Sequence, residues 1–229
     1  MLRGKYIVIE GGDGTGKSTQ VELLKKRLSG QGISSIVIHE PDGFEGDSEL
    51  GIAAVPEATE LRKKIKDATI PRTPTQNVEW FTEARRLNWI QAMEPALKLG
   101  AWVLAARNWY STVAYQGYGE GIDPQVIEAV TRQQVGGEYT TPDYALILNI
   151  ANETVRQGRI SNRGPLDTPD TFESKPDTFQ QAMQTGYMKF AAEYNIEVLD
   201  ASGTISDVEE SIWERIEPLT KRGKCETIS

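Results

Sequence analysis

The sequence predicts an α/β fold with a five-stranded parallel sheet and helices on both faces. Three observations carry that prediction. Short β-branched runs alternate with helically spaced segments along the 229 residues. A glycine-rich segment joins the first such run to the first helical one. Hydrophobic residues at 38% and charged residues at 25% suit a packed core rather than a disordered chain. Strand-helix alternation favours parallel strands covered on both sides. The length suits one ordinary α/β domain.

The elements read in order as follows. Residues 6–10 (YIVIE) form a buried strand, and 36–39 (IVIH), 102–106 (WVLAA), 144–150 (YALILNI) and 196–199 (IEVL) form the other four. Val21, Leu24 and Leu28 give residues 17–28 a helical spacing. Further helices are expected over 78–99, 125–135, 177–193 and 208–216. Residues 42–56 have glycines and little periodicity and read as an insertion. Residues 159–176 are polar and proline-rich, which predicts a loop acting as a lid. Together these make one domain over 1–220, followed by a flexible tail at 221–229.

Composition excludes several kinds of chemistry. There is one histidine, His39, and one cysteine, Cys225, so no disulfide within the chain and no Cys/His zinc site can form. The formal charge of −8 gives no overall attraction to nucleic acid or to an acidic membrane. No apolar run is long enough to span a bilayer, and the opening MLRGKYIVIEGG reads as a strand entry rather than a signal peptide. A cytoplasmic protein with no nucleic-acid or membrane partner is expected.

The strongest motif is Gly11-Gly12-Asp13-Gly14-Thr15-Gly16-Lys17-Ser18, which matches G-x-x-x-x-G-K-[ST] between a strand and a helix. Glycines let the backbone turn its amides inward around phosphates, and the helix start adds partial positive charge. Lys17 can reach the terminal phosphates of ATP, and Ser18 can place its hydroxyl on Mg²⁺. The candidate ATP-binding residues are therefore Gly11, Gly12, Asp13, Gly14, Thr15, Gly16, Lys17, Ser18 and Thr19. The fold expectation sharpens to a P-loop NTP hydrolase-like three-layer fold. The motif gives nucleotide binding but not the reaction.

Further segments choose among P-loop proteins. The sequence is similar to the thymidylate kinase family at residues 6–20, at His39-Glu40-Pro41, at Leu61-Arg62 and at Phe81-Thr82-Glu83-Ala84-Arg85. The similarity continues through Glu94-Pro95-Ala96-Leu97, residues 100–123 and Leu199-Asp200-Ala201-Ser202. It spans most of the chain in order. The resemblance implies ATP- and Mg²⁺-dependent phosphorylation of dTMP to dTDP by a homodimer. It implies that Phe81 stacks on the pyrimidine and that Arg85 contacts base carbonyls. Arg62 and Arg107 would clamp the acceptor phosphate, because a guanidinium fork fits phosphate oxygens. Ser111, Thr112, Tyr115 and Gln116 would close around the base, Glu40 would join the acceptor side, and Asp13 would hold the sugar 3′-hydroxyl. Lys17, Arg107, Arg159 and Arg163 are the expected catalytic charges, the last two from the lid, where Glu173 resembles the family's acidic residue.

Read from the residues alone, Phe81 also suits core packing, and the run from Arg62 to Lys66 also suits a solvated face. His39 reads as a packed neutral histidine. Three positions depart from the family pattern: Ala106 stands in place of Asp before Arg107, Thr171 in place of a lid arginine, and His39-Glu40-Pro41-Asp42-Gly43-Phe44 in place of R-E-P-G-G-T. The expected compensation is Glu40 or Asp42 at the metal and Arg159 or Arg163 in the lid. Two alternatives stay open: a deoxynucleotide kinase with another base preference, and a nucleotide-binding module with weak or no transfer.

Overall fold

The computed structural model describes residues 2–162, 171–172 and 175–221. Its five strands are β1 (Tyr6–Gly11), β2 (Ser35–His39), β3 (Trp102–Ala106), β4 (Tyr144–Asn149) and β5 (Glu197–Asp200). They form a parallel sheet in the order β2-β3-β1-β4-β5. Every residue of β1 and β3 is buried, as expected of central strands covered on both faces. Alternate residues point to opposite sides, so Tyr6 and Val8 enter one core and Ile7 and Ile9 the other.

Helix α1 (Lys17–Gly30) and helix α10 (Ile205–Lys221) cover the Ile7/Ile9 face. The opposite face carries α2 (Pro56–Lys66), α3 (Pro74–Asn88), α4 (Glu94–Lys98), α5 (Trp109–Thr112), α6 (Pro124–Gln134) and α7 (Gly137–Thr140). Helix α8 (Glu153–Ser161) follows β4, and α9 (Asp177–Glu193) packs with Tyr115 and Phe172 in a third cluster. Local chemistry sets the helix starts. Thr73 caps α3, accepting from Gln76 N–H at 3.2 Å while the Gln76 side chain accepts from Thr73 N–H at 2.9 Å, and Pro74 follows at the first helical position. Asn152 caps α8 through Thr154 and Val155.

Three differences from the sequence expectation have physical causes. The single helix expected over 78–99 is broken by a π-helical turn, Trp89–Met93, just before Pro95, which has no N–H to donate. Helix α2 buries only Ala58 and Ile65 and is rich in charged residues, and only the resemblance pointed to it. The expected loop over 159–176 begins inside α8, so Arg159 belongs to a helix. Residues 42–56 are tied down by a bridge between Asp47 and Ile52 and by burial of Phe44 and Val55.

Candidate active site

The loop from Gly11 to Gly16 leaves β1 at the carboxyl edge of the sheet. Two of its glycines are required by space as well as by φ. Gly11 has φ 137° and a Cβ there would lie 2.2 Å from the Leu148 carbonyl oxygen. Gly14 has φ 82° and a Cβ there would lie 3.0 Å from the Arg156 carbonyl oxygen. The first bond of α1 runs from Gln20 N–H to Gly16 O at 3.0 Å, leaving the preceding amides to serve a ligand. Lys17 is 7% exposed and donates to the Gly12 carbonyl at 2.7 Å. Thr15 donates to the same oxygen at 2.9 Å.

A cleft of about 690 Å³ opens beside this loop, within the range of nucleotide-sized sites. Residues 13–20 form its floor. One wall is built by Glu40 to Asp42 after β2, Arg62 and Lys66 on α2, and Phe81 on α3. Arg107, Ser111, Thr112, Tyr115 and Gln116 continue that wall after β3. The other end is formed by Arg159 and the segment from Gly203 to Val208. Gly11 and Gly12 stand behind the lining, and Thr19 lies exposed within it.

Arg107 is the most constrained residue of the cleft. Its backbone has φ 77°, a conformation that non-glycine residues rarely adopt and that marks functional sites. Its guanidinium is ion-paired with Asp13 and donates to the Gly11 carbonyl at 3.1 Å, Ser111 Oγ at 3.0 Å and the Tyr187 hydroxyl at 3.2 Å. Tyr115 donates its hydroxyl to the other Asp13 oxygen at 3.0 Å. Burial pushes the phenols of Tyr115 and Tyr187 up, so both are neutral donors.

Behind Arg107 lies Glu10, which the sequence reading took only as a strand end. It is fully buried. It accepts from Asn108 N–H at 2.7 Å, Ser111 N–H at 3.1 Å, the Ser111 hydroxyl at 2.8 Å and the Tyr187 hydroxyl at 3.0 Å. One carboxylate thus fastens β1, the turn after β3 and α9 together. A charged residue closing a wholly apolar strand, with no neutralising neighbour in sequence, was the only available signal. Arg156 was also missed. It is 3% exposed, pairs with Glu153 at 2.6 Å and donates to the Asp13 carbonyl at 3.3 Å, bracing the phosphate loop from α8.

Other expected residues sit differently from their sequence reading. Arg85 is 1% exposed and does not line the cleft. It donates to Glu40 at 2.7 Å, Thr112 Oγ1 at 2.7 Å and the Asn108 carbonyl at 2.9 Å, with its carbon 5.4 Å from the Phe81 ring centre. Its position i+4 from Phe81 is as read; the buried acceptors behind Phe81 draw it inward. Glu40 directs its carboxylate to Arg85 and Tyr139 and not into the cleft, which removes it as a metal-side substitute for the carboxylate missing at Ala106. Burial outweighs Arg85 and raises the Glu40 carboxyl to about 7. Asp42 is ion-paired with Arg62. Arg159 donates to the carbonyls of Ala201, Ser202 and Gly203 at 2.9, 3.2 and 2.8 Å. His39 lies half-exposed at the cleft edge, 3.2 Å from Glu22, rather than packed. Thr171 donates to the Lys66 carbonyl at 3.0 Å, and Phe172 packs 5.9 Å from Phe81. Arg163 and Glu173 lie outside the described residues.

Comparison with known proteins bears on what this cleft belongs to. The family model for thymidylate kinase matches residues 9–212. The chain belongs to the thymidylate kinase family. A thymidylate kinase of Afipia carboxidovorans is 35% identical over 94% of this chain and 90% of its own length. That of Bradyrhizobium diazoefficiens is 34% identical over 92% and 88%, and that of Halothermothrix orenii 30% over 94% and 97%. The thymidylate kinase family consists of phosphotransferases on the P-loop fold, and the five-stranded parallel sheet found here agrees with it. Among the described residues no helix is long and apolar enough to cross a membrane.

Proposed function

We propose that this chain transfers the γ-phosphoryl group of ATP to dTMP, giving dTDP and ADP. The observation that carries the reading is one continuous cleft, with the phosphate loop at its floor and the Phe81-Arg107-Tyr115 wall facing it. Membership of the thymidylate kinase family supports the same reaction. An acceptor phosphate oxygen attacks the γ-phosphorus in line, and the bond to the β-bridging oxygen breaks as ADP leaves. The protein's part is alignment and charge, because phosphoryl transfer needs little covalent help.

Lys17 exchanges the Gly12 carbonyl for phosphate oxygens. Arg107 and Arg62 hold the acceptor phosphate, Phe81 offers its face to the pyrimidine, and Asp13 takes the sugar hydroxyl. Ser111, Thr112 and Tyr115 close the pocket. The Oε1 of Gln116 is buried with no hydrogen-bond partner among the described residues, which supports a role in accepting a base N–H. Arg85 acts through Phe81 and Thr112. Arg159 supports the adenine-side segment through its three carbonyl bonds, and reaching the phosphates requires it to give those up. Arg163 is the lid residue proposed to add charge at the transition state.

The exposed Ser18 at the start of α1 suits Mg²⁺, which takes few protein ligands and relies on phosphate oxygens and water. Among the described residues no group of three or more His, Cys, Asp or Glu side chains could hold a metal by itself. When bound, the ion neutralises charge on the phosphates; orientation of both nucleotides falls to the side chains named above. A cytoplasmic homodimer is part of the proposal, and sedimentation at micromolar concentration tests the dimer.

The reading is tested by measuring ADP formation with dTMP, dUMP, dCMP, dGMP and dAMP as acceptors. Turnover fastest with dTMP and dependent on Mg²⁺ is expected. Preference for another acceptor gives the related kinase, and ATP binding without turnover on any acceptor gives a binding module, in keeping with the missing carboxylate at Ala106.

A further inference from the structure

We propose that Asp42 is an internal competitor for the acceptor's phosphate. Its carboxylate occupies the basic corner of the cleft formed by Arg62, Lys66 and His39, and thereby sets how tightly the chain holds a nucleoside monophosphate. The proposal rests on the reading of Arg62 as a phosphate ligand.

The corner is built from two elements on the same wall of the cleft. Arg62 and Lys66 lie one helical turn apart on α2, so they share a face. His39 and Asp42 flank the turn that leaves β2. All four residues line the cleft, and Asp42 is ion-paired with Arg62. The Asp42 side chain is 38% exposed, so it stands where a ligand entering from solvent would meet it.

The carboxylate is presented by an anchored backbone, not by a loose loop. Asn88, fully buried on α3, donates to the Asp42 carbonyl at 2.8 Å and accepts from Phe44 N–H at 3.1 Å. Asp42 N–H donates to the His39 carbonyl at 2.6 Å. A Cβ on Gly43 would lie 2.2 Å from the Val55 carbonyl oxygen, which holds the turn against residues 55–59. Burial raises the Asp42 carboxyl, while Arg62, Lys66 and His39 act to lower it.

A phosphate brought to Arg62 therefore meets a like charge and must displace it or share the guanidinium with it. Both outcomes cost affinity, and the loss concerns only the phosphate end of the ligand.

Calorimetric titration of dTMP and of thymidine into wild type, Asp42→Asn, Asp42→Ala and Arg62→Ala tests this. Removing one like charge at contact range predicts dTMP binding about fivefold tighter in both Asp42 variants. Thymidine, which lacks the phosphate, binds all four proteins alike and reports an intact cleft. Arg62→Ala weakens dTMP and not thymidine. If dTMP binds equally or more weakly in both Asp42 variants while Arg62→Ala remains selectively weakened, Asp42 orients Arg62 rather than competing with the ligand, and the proposal is overturned. If Arg62→Ala shows no selective loss, the phosphate reading of Arg62 fails and the proposal fails with it.

Discussion

Arg85 donates to Glu40 across 2.7 Å with both side chains withdrawn from solvent, 1% and 0% exposed. Truncating either partner leaves a buried charge uncompensated. Arg85→Ala is expected to cost about 3–5 kcal/mol of stability. It also removes the support beneath Phe81 and the bond to Thr112. Urea unfolding of the variant checks the cost; a loss below about 1 kcal/mol would mean that the pair is not what fixes this wall.

The same pair gives a pH signature. The Glu40 carboxyl is raised to about 7 in the folded chain from an ordinary 4.5. The folded state therefore binds more protons than the unfolded state between those values, and stability falls as pH rises through that window. The contribution is whole below the unfolded value and lost above the folded one. Comparing wild type with Glu40→Gln cancels the other carboxylates. The stability difference should move against wild type from pH 4.5 to 7.5, and a flat difference would contradict the assigned shift.

Glu10 is expected to control Arg107 without touching a nucleotide. Its bonds to Asn108, Ser111 and Tyr187 hold the turn in which Arg107 adopts φ 77°. Glu10→Gln keeps the shape but presents an amide to donors, so Arg107 shifts. A displacement near 1 Å in a positioning group costs about 10²-fold in rate. The loss should fall on kcat and on the KM for dTMP while the KM for ATP is preserved. An equal loss for both nucleotides would point to general unfolding of the cleft.

Much of this was legible in the sequence, for identifiable reasons. The central strands β1, β3 and β4 are continuous apolar runs and the edge strands β2 and β5 carry short β-branched or aliphatic ones, so all five were found within a residue or two of their ends. The phosphate loop was legible because its glycines, Lys17 and Ser18 are required at fixed spacing. Helices α2 and α8 were not, because each buries only one or two residues and is dominated by polar and charged side chains. Glu10 and Arg156 escaped because their partners lie far along the chain, Tyr187 for one and the Asp13 carbonyl for the other. Arg85 shows the remaining limit: helical spacing placed it beside Phe81, but only the fold reveals that Glu40 waits behind it.

Lys17 donates to the Gly12 carbonyl and is expected to exchange it for phosphate oxygens. Lys17→Ala should lower kcat by about 10²–10³-fold, the cost of removing one preorganised donor from a transition state. Stability should change little in comparison. Steady-state kinetics beside a thermal melt separates the two effects, and an unchanged kcat would remove Lys17 from the chemistry.

The central claim is that one cleft brings two nucleotides together for direct transfer. Phosphorus NMR of the protein with ATP, Mg²⁺ and dTMP tests it most directly. The account predicts that dTDP and ADP appear in equal amounts and that no inorganic phosphate accumulates. ADP and inorganic phosphate without dTDP, or an unchanged spectrum, would contradict it.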